Sequence, residues 1–467
     1  MSLRSSPHRV LLDPDTYWHV ATGRWIVEHR QPPTVDLYSY TMHRAPWVAH
    51  EWLAEILLFA AHAAAGNTGL VLVSAACYGG ALAYLTRFLL TRLKPIHALL
   101  LVALAANVLY GHLLARPHVF AWALIAVWTA TLLTAAERRR GPPWWLLGVL
   151  LVWANLHGSF PLAVALAVPL AFEAVLAVPS EARRRAAYLW SAFVLALPVV
   201  ALATPKGTAG IAFAYRLMSM SSAMDSIGEW QSPNFHHFQV LEVWLFLLIG
   251  AAALGRVRLP WTRLVLVLGL LHLALSYQRN IAILGLIGPM IIALPIARQL
   301  QDAPLPGRQA RGLNCLFEAL AAPARRTGIA VAVAVLAVVG TVAVRANVFT
   351  PEPSWNPAAA LRAARAAGVT GPVLNAPNFG GYLIHEGVPV FTDTRADLYG
   401  EAFLRRYNRA VSVSEPDALT DLMNSYHVTW TIFEPGTPAI ALLDRLPGWH
   451  RVYADDVAVV HARAVTP

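Results

Sequence analysis

The chain has 467 residues, 57% of them hydrophobic and only 13% charged, with a mean hydropathy of +0.51, where soluble domains carry roughly 25% charged residues. That composition excludes a soluble globular protein and points to a multi-spanning membrane protein. The formal charge of +10 sits in short turns between apolar runs, as topology signals do, which excludes nucleic acid as a partner.

In chain order, the first feature is "LLDPDTYWHVATGRW", residues 11–25. Asp13 and Pro14 read as the N-cap and first position of a helix over 15–30, with Asp15 in its first turn. Asp15 and His19 are four apart, share a helical face and can pair. Trp18, Ala21, Thr22, Trp25 and Ile26 form one apolar face. Trp52, Leu53, Ile56, Leu57 and Ala60 form another over 50–65. Both segments are too polar or too short to span and read as amphipathic helices in the membrane interface. "HEWLAE" at 50–55 begins like a zinc-protease motif, but Ala54 stands where the second histidine is needed.

Apolar runs approaching the roughly 20 residues that cross a bilayer follow at 68–91, 96–113, 117–136, 144–156, 158–178, 187–204, 240–255, 260–277, 280–298 and 327–346. One set of turns holds Arg92 and Lys94, Arg138 to Arg140, Arg183 to Arg185, and Arg256, Arg258 and Arg263. The 299–326 loop, with Arg308, Arg311, Arg325 and Arg326, joins this set, which predicts a cytoplasmic face. The alternate turns carry Arg116 and His118, Asn155 and His157, Lys206, Glu229 with His236 and His237, and Arg279 with Asn280. Polar groups at the ends of membrane spans are functional candidates by default. Their gathering on one side, beside Asp13 and Asp15, makes a site for an anionic lipid headgroup, with arginine suited to phosphate. His19, His50 and Glu51 fall on the same outer side.

This partition leaves residues 1–66 outside as a loop with two interfacial helices, followed by a membrane domain of about ten helices at 67–346. No cleavable signal is visible, and Val10-Leu11-Leu12 reads as the end of a preceding helix that the chain lacks. Cys77 and Cys315 offer no disulfide framework. After a linker at 347–356, residues 357–467 alternate soluble helices with short strands and form a small α/β domain outside the membrane. Helices are predicted at 357–367, 398–411, 416–425 and 437–445, and strands near 372–375, 388–392, 428–433, 449–453 and 456–461. In it, Gly380-Gly381 marks a tight backbone passage, and Asp393, Arg395 and Asp397 gather at a strand end. They are either ligand contacts or an ion pair fixing the loop. Asp13 and Asp15 could also hold a divalent cation, magnesium or manganese, through carboxylate oxygens.

The motifs "DPDTYWHVATGRWIVEH", "WVAHEWLAE", "ARPH", "WANLHG", "EWQSPNFH", "RNI" and "GGYLI…DTRADLYGE" together resemble bacterial multi-spanning proteins of the GT-C glycosyltransferase superfamily. The resemblance runs from Asp13 through nearly the whole chain. It implies a donor sugar on a polyprenyl phosphate and a glycan, lipid or protein acceptor at the outer face of the bacterial inner membrane. It also implies an aspartate base in the first external loop, flanked by interfacial helices. Asp15, with Asp13 second, matches that base. Arg116, Arg279, Lys206, His118 and His157 would hold the donor phosphate, and His19, Glu229, Asn280, His50 and Glu51 would position the reactants. Two rival readings are a lipid-linked sugar transporter, which predicts charges at mid-membrane or inverted repeats, and a noncatalytic assembly factor.

Overall fold

A computed structural model describes residues 9–210, 228–254, 258–301, 313–346, 348–349 and 356–464. Arg256, Arg308, Arg311, most of the 347–356 linker and residues 1–8, on which a preceding helix would border, lie outside the described residues.

Helix α1 (Thr16–His29) is the first amphipathic segment. Helix α2 (Trp52–Leu90) joins the second one to the first apolar run, with a break at Ala65 and Gly66. Gly66 takes φ +55°, a conformation that costs a glycine little, and lets the chain change direction there. The bundle continues with α3 (Pro95–Tyr110), α4 (His118–Glu137), α5 (Leu146–Leu156), α6 (Leu162–Leu176) and α7 (Ser180–Ala201). It closes with α8 (Val240–Ala253), α9 (Trp261–Ser276), α10 (Ile281–Gln301), α11 (Leu313–Ala321) and α12 (Arg326–Arg345). Among the described residues, five helices are long and apolar enough to cross a membrane and five apolar ones are shorter.

Helices α4 and α10 lie at the centre of the apolar core. Helix α12 touches the bundle along α2 and buries none of its residues. A helix apolar all round and exposed all round requires a lipid surround, and Leu195, Val199, Phe246 and Ile249 are likewise exposed on other helices. Arg263 on α9 is buried between Glu137 of α4 and Glu173 of α6, both within 3.1 Å, and donates to the carbonyl of Ile291 on α10 at 3.0 Å. This cluster ties four helices together near the basic end.

The C-terminal domain has a four-stranded sheet in the order β1 (Val373–Asn375), β2 (Trp430–Phe433), β4 (Val459–Arg463), β3 (Trp449–Ala454). Strands β1 and β2 are parallel and the other pairs antiparallel. Helices cover it: α13 (Ala358–Ala366), α14 (Pro377–His385), α15 (Ala396–Val411), α16 (Ala418–Ser425) and α17 (Pro438–Leu443). Two expectations change here. The strand predicted at 388–392 does not join the sheet; Val390 pairs instead with the N-terminal loop, exchanging backbone bonds with Tyr38 and Tyr40 at 3.1 Å. The Gly380-Gly381 passage lies inside helix α14, because those glycines let a neighbouring chain come close. A Cβ on Gly381 would stand 2.0 Å from the carbonyl oxygen of Pro14, and one on Gly380 2.5 Å from the Asp393 Cβ.

Candidate functional site at the loop end of the bundle

The turn between α3 and α4 straps the "DPD" stretch in place. Ala115 donates its N–H to the Val10 carbonyl at 2.8 Å and accepts from Thr16 Oγ1 at 3.1 Å. The next residue, Arg116, then reaches three carboxylates. Its Nη1 lies 3.2 Å from Asp13 Oδ2 and 3.1 Å from Glu229 Oε2, and its Nη2 pairs with Asp15 Oδ2. Asp13 Oδ1 accepts the Asp15 backbone N–H at 2.7 Å, and the Thr394 hydroxyl donates to Asp15 Oδ1.

This geometry corrects two expectations. Helix α1 starts at Thr16, so Asp15 stands at its boundary and not in its first turn, while Asp13 does accept a backbone N–H there, that of Asp15. The buried Asp15 carboxylate is paired with the Arg116 cation, as a buried charge requires. Nor do Asp15 and His19 pair through their side chains. The His19 ring points inward, with Nδ1 3.3 Å from Glu55 Oε1 and Nε2 3.9 Å from Glu51 Oε2.

Burial pushes the Asp13 carboxyl up to about 7, although the Arg116 guanidinium pulls it down and Asp15 and Glu229 add to the rise. Burial also works upward on Glu229, but Arg116, Arg279 and His118 outweigh it and hold that carboxyl down at about 2. Burial alone would lower Arg116; its carboxylate neighbours raise it well above the ordinary arginine value.

Glu51, at the start of α2, is the second focus. One of its oxygens lies 3.4 Å from His157 Nε2 and 3.6 Å from His50 Nε2. Burial raises its pKa against the pull of His50, Arg116 and Arg279. Burial lowers those of His19 and His157, with nearby cations adding to the effect, so both imidazoles are neutral at pH 7. His157 Nδ1 meets Ser159 Oγ at 2.7 Å. The ring of His118 is 6.4 Å from that of His157, and its Nε2 bonds the His112 carbonyl at 2.9 Å. Trp52 Nε1 donates to Asn155 Oδ1 at 2.7 Å, locking the start of α2 to the end of α5.

Arg279 stacks 4.5 Å over the Trp230 ring and exerts its charge on Glu51, Glu229 and His157. No carboxylate within salt-bridge distance engages it among the described residues. Lys206 donates to the Pro33 carbonyl at 2.6 Å, and its pKa is lowered by burial despite Glu55. Asn280 donates to the Leu273 carbonyl at 3.4 Å, a contact that closes its own turn. His236 and His237 are exposed.

The loop at 393–395 of the C-terminal domain also reaches this end. Arg395 grips Asp393 with two nitrogens, at 2.9 and 2.7 Å, and Asp36 of the N-terminal loop at 2.8 Å. Tyr399 donates to Asp393 at 2.7 Å. The guanidinium is boxed by Trp47, Tyr38 and Trp18 at 4.7, 5.2 and 5.9 Å. Asp393 and Arg395 therefore fix the interface between the domains. Asp397 lies near His50, and burial raises its pKa against the pull of that ring.

Thr394, Asp36 and Glu55 are site residues that sequence reasoning did not reach. The spacing of Glu51 and Glu55, one helical turn apart, was a readable signal for Glu55. Nothing in the sequence marks Thr394 or Asp36. A divalent cation does not fit the aspartate pair as arranged, because Arg116 fills the space between the carboxylates. Among the described residues no group of three or more His, Cys, Asp or Glu side chains is placed to hold a metal ion.

No family model and no curated protein matches the chain. Among solved structures it is similar to the archaeal oligosaccharyltransferase AglB from Archaeoglobus fulgidus, seen in complex with an inhibitory peptide and a dolichol-phosphate. The two are 9% identical with a TM-score of 0.52, and the match covers 99% of this chain and 71% of the other. The likeness is one of fold alone.

Proposed function

We propose that the chain is a membrane glycosyltransferase that moves a sugar from a polyprenyl-phosphate donor to an acceptor hydroxyl at the outer face of a bacterial cytoplasmic membrane. One observation carries the reading. Two aspartates, a glutamate and two arginines from separate turns meet at one end of an apolar bundle with an oligosaccharyltransferase-like fold.

Asp15 acts as the base. Arg116 pairs with it and Thr394 orients it, while a carboxylate with about four lone-pair sites retains room for an acceptor hydroxyl. As Asp15 takes the hydroxyl proton, the acceptor oxygen bonds to the anomeric carbon. The bond from that carbon to the phosphate oxygen breaks, and polyprenyl phosphate leaves with the electron pair. Direct displacement inverts the anomeric centre. Arg116 is occupied by carboxylates, so the phosphate falls to Arg279, with Lys206 as a further hydrogen-bond donor. The one N–H of His118 is spent on the His112 carbonyl, and that of His157 faces Glu51, so these two rings help to position the donor without binding its phosphate. Positive groups fixed where charge develops stabilise the transition state. His19, His50 and Glu51 shape the wall against which the acceptor lies, and the C-terminal domain caps it. No step is routed through a metal.

The test is to reconstitute the purified chain in lipid, supply a panel of polyprenyl-phosphate sugars with acceptors, and measure free polyprenyl phosphate. At least one donor is expected to release it in step with acceptor glycosylation. Folded protein that releases none from any donor contradicts the reading.

A further inference from the structure

The opposite end of the bundle carries two cavities that the proposed transfer does not use. The first, of about 380 Å³, has Arg139, Arg258 and Arg298 at its rim and Arg263 at its floor. The second, of about 600 Å³, is lined by Arg87, Arg92, Arg138 and Arg140. Consecutive arginines of one turn, 138–140, thus feed opposite cavities. The acids nearby are already used: Glu137 and Glu173 pair with the buried Arg263, and Glu137 also holds Arg92 at 2.8 Å. Arg139, Arg258 and Arg298 are exposed, and among the described residues no carboxylate pairs with them. A topology signal requires charge in the turns; it does not require an uncompensated ring of guanidiniums around a concave pocket.

Depth and lining identify the ligand. Pro260 and Pro143 line the two cavities, and the residues that follow them, Trp261 and Trp144, are exposed. Exposed tryptophans at span ends mark the headgroup level of a bilayer. Leu294, Pro295 and Ala177 add an apolar wall to the first cavity, which a free anion does not need and an acyl-chain glycerol does. We propose that this cavity binds the phosphodiester headgroup of an anionic phospholipid, held by Arg139, Arg258 and Arg298. Basic pockets between membrane helices recognise such headgroups generally, and guanidiniums suit phosphate oxygens.

The test uses the full chain, delipidated in a neutral detergent and titrated with phosphatidylglycerol or phosphatidylcholine, with bound lipid counted by native mass spectrometry. The wild-type chain is expected to retain phosphatidylglycerol preferentially, and the triple variant Arg139→Gln, Arg258→Gln, Arg298→Gln to lose about tenfold or more of that affinity. A control triple, Arg183→Gln, Arg184→Gln, Arg185→Gln, removes equal charge from exposed positions outside both cavities and is expected to bind as wild type. The single variant Arg298→Gln, with an intermediate loss expected, keeps the test valid if the triple misfolds. Equal losses in both triples would reduce the effect to net charge and overturn the proposal. So would full displacement of the lipid by inorganic phosphate at equal concentration, which would mark a small-anion site.

Discussion

Arg116 balances three carboxylates with one guanidinium, and the consequences are measurable. Replacing it by alanine leaves Asp13, Asp15 and Glu229 without their common partner. Removing one side of a buried ion cluster costs about 3 kcal/mol or more, so Arg116→Ala is expected to lower the thermal unfolding midpoint sharply. Asp13 sets a pH dependence of its own. Its folded pKa is raised from 3.8 to about 7, chiefly by burial, so the folded chain holds a proton that the unfolded chain gives up. That contribution to stability is present at low pH and declines as pH rises from 4 through 7. Asp13→Asn, which keeps an oxygen for the Asp15 N–H, should flatten the decline in unfolding curves taken across that window. The carboxylates themselves were legible, because charges next to apolar runs are rare. Their partner was not: Arg116 is 103 residues from Asp13 and 113 from Glu229, and pairing at that range is decided by packing.

At the scale of elements, hydropathy located the apolar helices well. The break at Gly66 divides the second interfacial helix from the first apolar run, where the sequence pattern changes. Helix α14 is not among the expected elements; its two glycines read as a tight backbone passage, and the neighbouring Pro14 and Asp393 show what comes close there. Gly381→Ala is therefore expected to push the C-terminal domain off the start of α1 and destabilise their junction by about 1–3 kcal/mol. Limited proteolysis should then cut between the membrane and C-terminal domains faster than in wild type. The 388–392 segment has strand composition, and pairs as a strand does, but with the loop at 38–40. Sequence pattern gives a strand's existence and not its partner. If the contact from the C-terminal domain orients the base, Thr394→Val should slow transfer and Thr394→Ser restore it, since serine keeps the hydroxyl on Asp15. Equal rates in all three forms would assign Thr394 to domain packing alone.

Across the whole molecule the polar groups divide between two ends. One gathers the carboxylates, neutral histidines and Arg279 beneath the C-terminal domain; the other gathers arginines around two cavities. The partition was visible in the turns, and so were most of the residues that meet at the candidate site. The division of labour within it was not, since Arg116 and Arg279 read alike in sequence and differ only in what surrounds them. The central claim is that Asp15 is the base for sugar transfer from a polyprenyl phosphate. It is tested most directly by comparing the wild-type chain with Asp15→Asn, matched for folding and lipid content, in release of polyprenyl phosphate from a donor that the wild type accepts. Asp15→Asn is expected to lose about 100-fold or more, the scale of removing a general base, with donor binding retained through Arg279. Turnover of Asp15→Asn at the wild-type rate would contradict it.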